Sequence, residues 1–427
     1  EYPADADRGA RRSVRLDGML PDPAQPAAAG GTPRAATRRA LRARERAAAA
    51  PVDVDVVVIG AGQAGLSAAY HLARAGLVAV GARGWHDAAA TFVVLDDAPR
   101  PGGAWQHRWD GLTMADAHHV HDLPGMTLAV PDPSEPANRA VPYYFAQYEE
   151  AFDLHVQRPV RVTRVEPGED DRLLVRSHLD GRPQDEVVFR ARGLVNATGT
   201  WRKPFWPAYP GASSFAGRQL HSGQYRSAQE LADGHVVVVG GGTSAVQLLL
   251  EVAKVTTTTW VTRRPPSWRD EEFTPELGRA AVALVEERTR AGLLPGSVVS
   301  VTGLPLTPAY REGIDAGVLR ARRMFSRLVP QGVAWDAPDD DPPAGWVGGP
   351  PLVEARTVLW ATGYRAALDH LAPLRLRGAG GGIVMDGSQV AADPRIHLVG
   401  YGPSASTVGA NRAGRDAVHR LRAHLGL

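Results

Sequence analysis

The sequence contains no cysteine. That excludes disulfide staples, thiolate zinc sites, cysteine nucleophiles and CxxC redox pairs together. Lysine is nearly missing too: of 48 basic residues only Lys203 and Lys254 are lysines, the rest being arginine, which we read as a GC-rich coding bias. No apolar run approaches the ~18 residues that a bilayer span demands, so no membrane partner is expected. The first residues lack the apolar core of a secretory leader, and the expected compartment is the cytoplasm. A strongly basic body is absent as well. The formal net charge is +2 over 427 residues, and residues 1–50 alone hold ten arginines against six acids. The remainder is near neutral, which argues against a nucleic-acid partner.

What is present is a 44% hydrophobic chain with enough apolar residues for real cores. Residues 1–50 read as a disordered basic tail with a short helix over 35–50. A β-branched run at 54–59 marks a strand buried on both faces, and 66–75 follows as a helix stopped by Gly76. Residues 91–95 form the next strand and 143–154 a helix. Residues 161–165, 173–177 and 187–190 read as antiparallel strands, and 193–196 as a separate buried strand. The pattern then restarts: strand 235–239, helix 245–253, strand 257–261, a helix from Thr274 toward Arg290, and strand 357–360. Residues 336–351 are loop, and strand 396–399 and helix 407–425 close the chain. The fold class is therefore α/β, with two Rossmann-like dinucleotide-binding domains.

Each half carries a glycine turn between a buried strand and a helix. In the first, Gly60 permits the tight turn, Gly62 lets backbone approach a diphosphate, and Gly65 allows close helix–strand packing; Gln63 and Ala64 complete it. In the second, Gly240, Gly242, Thr243 and Ser244 lead to Ala245 at the third glycine position. The helix N-terminus supplies amides and a favourable dipole in both. Asp96 and Asp97 follow the first unit and suit a ribose diol, although they lie further on than the usual ~20 residues, an excess that residues 81–90 account for as a loop insertion. Arg263 and Arg264 follow the second unit, where cations favour a 2′-phosphate, so NADPH is expected over NADH.

Four motifs in order resemble the flavin-containing monooxygenases, two-dinucleotide-binding-domain flavoproteins of class B. The stretch from Phe215 to Tyr225, with His221 inside it, matches the family pattern FxGxxxHxxx(Y/F). Gly102, Gly103, Ala104 and Trp105 resemble the GGxW loop that lies against FAD. Ala197-Thr198-Gly199 resembles the crossing between domains, and Ala361-Thr362-Gly363-Tyr364 its second copy. The resemblance implies that the FAD domain is discontinuous, residues 52–205 and 355–427. The NADPH domain, 206–354 with a substrate-access segment, is inserted between them. It implies further FAD contacts at His121, Val160 (through its backbone), Thr407 and Val408, and an orienting role for His221 and Tyr225; an ordinary hydrogen-bonded loop histidine stays open for His221.

The implied cofactors are FAD and NADPH, and the implied partners a small-molecule substrate and O2, with a homodimer allowed for. The resemblance implies that hydride passes from NADPH to FAD, that dioxygen adds at the flavin C4a carbon, and that one oxygen passes to a soft nitrogen or sulfur. Tyr225 stands where the related Baeyer–Villiger enzymes carry Trp, which leans toward heteroatom oxygenation. Baeyer–Villiger chemistry, an NADPH oxidase or flavin reductase, and a non-catalytic flavoprotein remain alternatives. Residues 116–122, with His118, His119 and His121 between two acids, have the donors of a metal site. Their place after the GGxW-like loop suits a flavin-side wall instead, and no metal is expected. Residues 265–355, around Trp268–Phe273 and Trp335–Trp346, are the least family-like, and their tryptophans read equally as core or lid.

Overall fold

The computed structural model describes residues 50–117, 120–130, 132–270, 275–296 and 303–427. The basic tail and its helix lie outside the described residues apart from Ala50, as do His118, His119 and Phe273.

The first half runs β1 (Val52–Ile59), α1 (Gln63–Arg74), β2 (Val78–Ala79), β3 (Thr91–Leu95), α2 (Ala137–Ala151), β4 (Val160–Pro167), β5 (Leu173–Leu179) and β6 (Glu186–Asn196). The middle gives β7 (Arg218–His221), β8 (Val236–Val239), α3 (Thr243–Val252), β9 (Thr258–Thr262), α4 (Pro275–Arg290), α5 (Pro308–Asp315), β10 (Ala321–Arg323) and β11 (Thr357–Trp360). The end gives β12 (Met385–Asp386), β13 (Gln389–Val390), β14 (Asp393–Leu398) and α6 (Thr407–Leu425). One sheet is ordered β12-β13-β14-β6-β1-β3-β2, with β5 on β6 and β4 on β5; the other is ordered β10-β9-β8-β11-β7. The first sheet draws strands from both ends of the chain and the second from the middle. One Rossmann-like unit is thus inserted in the other.

The sequence explains the order. The second half of β1 is apolar at every position, and Val56, Val57 and Val58 are fully buried. Such a strand belongs mid-sheet with cover on both faces, and Val57 stands opposite Val93 of β3 and Leu194 of β6, both parallel. The first half of β1 alternates, and its acids meet arginines of β6: Asp53 takes Arg190 and Asp55 takes Arg192. In the second sheet the four valines of β8 are buried between β9 and β11, again parallel.

Two expectations change. The strands read at 187–190 and 193–196 are one strand, β6, antiparallel to β5 and parallel to β1. Gly193 does not break it, because its bare Cα is where α6 crosses: a Cβ there would lie 2.7 Å from Leu421 Cδ1. The helix read at 143–154 is α2, which begins earlier and ends at Ala151. Pro142 lies inside it, and its ring packs against Gly102 instead of ending the helix.

The chain crosses between the two units twice, and the crossings pair with each other. Phe205 N–H donates to Gly363 O (2.9 Å), Arg365 N–H to Lys203 O (2.8 Å) and Ala367 N–H to Gly199 O (3.0 Å). Thr198 Oγ1 adds a bond to Ala367 O at 2.8 Å. This short ladder makes the joint between the units a double connection.

Candidate active site

Both glycine turns are shaped by steric necessity. Gly60 has φ +98°, and a Cβ there would stand 2.5 Å from Ala197 O. Gly65 packs so closely that its Cβ would fall 1.8 Å from Gly60 O. At Gly62 the nearest heavy atom to a Cβ is Gly103 Cα at 3.9 Å, so the middle glycine is not filled by the protein itself. Gly62 is also the N-cap of α1 and provides no side-chain cap, leaving first-turn amides open to a ligand. The second turn repeats this. A Cβ on Gly240, at φ +145°, would lie 2.2 Å from Ala361 O, while Gly242, the bare N-cap of α3, has nothing within 4 Å. Ala245 is buried and Thr243 and Ser244 are half-buried at the helix start. Each turn is therefore closed by its own Ala-Thr-Gly: Ala197-Thr198-Gly199 at the first, Ala361-Thr362-Gly363 at the second.

A cavity of about 690 Å³ opens at the first turn. It is lined by Gly60, Gly62, Gln63, Ala64, Asp96, Asp97, Gly103, Ala104, Trp105, Val160, Ala197, Thr198, Gly199 and Thr407. Four candidates do not line it. Gly65 and Gly102 are packed against Gly60 and Pro142. His121 meets the wall through its backbone, its carbonyl accepting from Gln63 Nε2 at 3.1 Å and its amide donating to Thr407 Oγ1 at 3.4 Å. Val408 lies in the first turn of α6. Val160 N–H is already engaged by Asp96 O at 2.8 Å. Gln63 Oε1 is shut off from solvent and meets no donor among the described residues. An orphaned acceptor, open helix amides and a glycine with free space fit a dinucleotide flavin.

Sequence reasoning missed the residues that hold Asp96. Its Oδ1 accepts from Ala98 N–H (3.1 Å) and its Oδ2 from Arg158 (3.2 Å), and Arg158 is gripped by Glu149 at 2.6 and 2.8 Å. Burial pushes the Glu149 carboxyl up despite that arginine. Glu149 comes from α2 and Arg158 from the loop after it, so no local spacing announces the triad. His370 was missed as well. It reaches the cavity from the turn Asp369–Leu374, bonds Asn196 Oδ1 at 2.7 Å, and burial pulls its pKa down to about 4. Asp97 pairs with Arg202 at 3.1 Å, and Trp201 stacks between His107 and Tyr364.

His221 is buried at the end of β7. Its Nδ1 accepts from Gly223 N–H at 3.1 Å and its Nε2 donates to Gly363 O at 3.0 Å. Those bonds fix the neutral Nε2–H tautomer, and burial lowers the pKa further. Tyr225 is buried with its ring edge toward Trp109, and burial with the nearby Glu251 carboxylate pushes its phenol far up. Arg263 and Arg264, just beyond β9, are exposed and form no ion pair among the described residues.

Both acids of the histidine-rich stretch are engaged locally. Thr113 Oγ1 donates to Asp116 (2.7 Å), and Asp122 Oδ1 accepts from Leu128 N–H (2.9 Å). Each tryptophan of the inserted segment has a contact of its own. Trp335 is buried beneath Arg322, Trp346 donates to Thr262 Oγ1 at 3.1 Å, and Trp268 packs edge-on against Trp260. Helix α4 leans on the turn Gly402–Ser404, where a Cβ on Gly402 would meet Thr289 Cγ2 at 2.7 Å.

Comparison with known proteins agrees with this geometry. Residues 58–144 match the NAD(P)-binding Rossmann-like domain and residues 105–288 the pyridine nucleotide-disulphide oxidoreductase family. A flavin-containing monooxygenase from Stenotrophomonas maltophilia is 33% identical, with a TM-score of 0.68 over 88% of this chain and 99% of that one. The chain belongs to the flavin-containing monooxygenase family. The uncharacterized oxidoreductase CzcO of Bacillus velezensis is 24% identical over 74% of this chain and 82% of its own. The indole-3-pyruvate monooxygenase YUCCA1 of rice, Oryza sativa subsp. japonica, is 30% identical over 46% and 45%. This flavin monooxygenase is an oxidoreductase that works with a flavin and a nicotinamide cofactor on a small molecule. No described helix is long and apolar enough to cross a membrane.

Proposed function

We propose that this monooxygenase is FAD-dependent, takes hydride from NADPH, and uses O2 to oxygenate a nucleophilic nitrogen or sulfur atom. The observation that carries the reading is the repeated pairing of a glycine turn with its own Ala-Thr-Gly, at Gly60 with Ala197 and at Gly240 with Ala361. Two such cradles joined by paired crossings suit two dinucleotides that must meet. The FAD domain would comprise 52–205 and 364–427, and the NADPH domain 206–363: the boundary expected at 355 moves past the second Ala-Thr-Gly, because β11 (Thr357–Trp360) pairs with β7 and β8 in the second sheet.

Bound flavin would accept the hydride and activate dioxygen, supplying the redox chemistry itself. The chain's part is orientation and electrostatics. The α1 amides and dipole would hold the FAD diphosphate, Asp96, clamped by Arg158, would take the ribose, and Gln63 Oε1 would accept a flavin donor. Ser406 caps α6 by accepting from Gly409 N–H at 3.1 Å, and the positive end of that helix favours negative charge on whatever lies in front of Thr407. Arg263 and Arg264 would take the 2′-phosphate. His221, locked as a neutral donor, would hold the fingerprint to the second crossing. Trp105 and Trp201 line the cavity and would help to shield a bound flavin from water. The absence of cysteine from the chain speaks against disulfide reduction.

The test is anaerobic mixing of the flavin-loaded protein with NADPH, followed by re-aeration with a thioether. Bleaching of the flavin and sulfoxide formed in step with NADPH consumed support the reading. Hydrogen peroxide in full yield would make the protein an oxidase, and esters from ketones a Baeyer–Villiger enzyme. An absence of bleaching would remove every enzymatic version.

A further inference from the structure

Arg108 closes the turn that the GGxW-like loop makes, the stretch Gly103–His107. Its backbone is fully used, the amide donating to Trp105 O at 3.0 Å and the carbonyl accepting from Asn138 Nδ2 at 3.0 Å. Its guanidinium Nε is not. The Nε is sealed from solvent without an acceptor, and no carboxylate among the described residues pairs with it. Arg158 shares a sealed, unpartnered Nε, but its terminal nitrogens meet the carboxylates of Glu149 and Asp96. Arg108 has rings instead: its guanidinium carbon lies 5.7 Å from the centre of Trp105 and 5.3 Å from that of Trp201. Aromatic faces attract a cation but do not replace a counter-charge in a dry place.

The surroundings indicate what would complete it. Trp105, His107 and Trp201 line the cavity, and Trp201 stacks on Tyr364 at 5.1 Å, so the guanidinium stands on the seam where the flavin-side cavity meets the second crossing. Arg226, on the same seam, is held among the described residues by carbonyls, His107 O and Tyr225 O at 3.1 Å each and Gly223 O at 3.3 Å. The seam is positive. The diphosphates of the two dinucleotides have their own cradles at the starts of α1 and α3 and do not need this arginine. The third reactant is left.

We propose that Arg108 is a substrate-binding residue that pairs with a carboxylate, so that the protein prefers carboxylate-bearing nucleophiles whose unsaturated body packs on Trp105 and Trp201. A planar guanidinium matches a carboxylate in a two-bond fork, which a lysine cannot reproduce. This inference rests on the oxygenation reading for the word substrate, but its binding test does not depend on turnover.

The flavin-loaded protein is titrated calorimetrically with (phenylthio)acetate and (methylthio)acetate, each against its methyl ester. The acids bind about tenfold to a hundredfold tighter than the esters. The R108Q variant loses that preference and R108K recovers part of it, with retained flavin absorbance showing that each has folded. Equal binding of acid and ester by the native protein overturns the proposal without any variant. A preference that survives R108Q, with NADP⁺ affinity lost instead, assigns the arginine to the nucleotide and overturns it too. If NADPH oxidation yields peroxide alone, the oxygenation reading fails while the acid–ester titration still stands or falls by itself.

Discussion

His221 and Gly363, 142 positions apart, are joined by a 3.0 Å hydrogen bond from the imidazole Nε2 to the carbonyl. Gly363 O also accepts from Phe205 N–H, so one carbonyl links the fingerprint and both crossings. A ring whose two nitrogens are committed, one as acceptor and one as donor, has no proton to exchange with substrate without breaking a contact. We therefore propose that His221 is a positioning residue.

Replacing His221 by Gln, which can still donate to Gly363 O, therefore costs less than replacing it by Ala. H221A is expected to lower the oxygenated product per NADPH roughly tenfold, with peroxide making up the difference, consistent with the sensitivity of catalysis to misplacement. H221Q recovers most of that coupling. The pH profile of kcat stays where it was in both variants. A lost or shifted limb in that profile would return His221 to acid–base duty.

The two glycine turns allow a paired experiment. G60A forces a side chain into positive φ and against Ala197 O, and G240A does the same against Ala361 O. Each strain costs about 1–3 kcal/mol or more. The expected outcomes differ: G60A purifies without flavin, whereas G240A keeps its flavin and loses NADPH affinity by at least about tenfold, as a 1.4 kcal/mol loss dictates. Flavin absorbance and a nucleotide titration read the two separately. Loss of flavin in G240A alone would exchange the assignments.

What was legible in the sequence was whatever one strand–turn–helix carries by itself. Gly60, Gly65 and Gly240 answer constraints set within a few residues or by one crossing partner, and a buried run such as 54–59 announces its place mid-sheet. Residues brought in from elsewhere were silent. Arg158 and Glu149 reach Asp96 from after and within α2, and His370 reaches Asn196 across 174 positions, neither with a spacing of its own. The split reading of β6 failed for a related reason: Gly193 breaks the local pattern but serves α6, whose Leu421 crosses it. Tyr225, read as an orienting group, is buried against Trp109, beyond the reach of local spacing.

Arg263 and Arg264 are exposed and form no ion pair among the described residues, and we propose that they take the 2′-phosphate. The double variant R263A/R264A is expected to raise the KM for NADPH about tenfold to a hundredfold and to collapse the preference over NADH. Because the pair is solvent-facing, the native preference should shrink as salt rises toward ~1 M, where charges are screened within about 3 Å. Steady-state kinetics with both nucleotides at two ionic strengths check this. An unchanged NADPH to NADH ratio in the variant would leave these arginines as solvated surface.

Acid stability offers a test that needs no substrate. His397 is fully buried on β14 with Nδ1 3.0 Å from Ser388 Oγ, and His370 is held by Asn196; burial lowers both from 6.5 to about 4. A lowered folded pKa means that between 6.5 and 4 the unfolded chain binds protons that the folded chain refuses. Their stabilising contribution is thus complete above pH 6.5 and is lost as pH falls toward 4, by up to ~1.4 kcal/mol per pH unit for each histidine. Other histidines whose pKa burial lowers, such as His71 and His235, add to the slope. Urea unfolding at several values across this window should show stability falling steeply with acid. In H397N the slope should drop by about one proton, even if the variant starts from a lower stability at neutral pH, because a slope is insensitive to a constant offset. An unchanged slope would mean that His397 is protonated in the fold, with Asp416, which accepts from Ser388 Oγ at 2.8 Å, as its counter-charge.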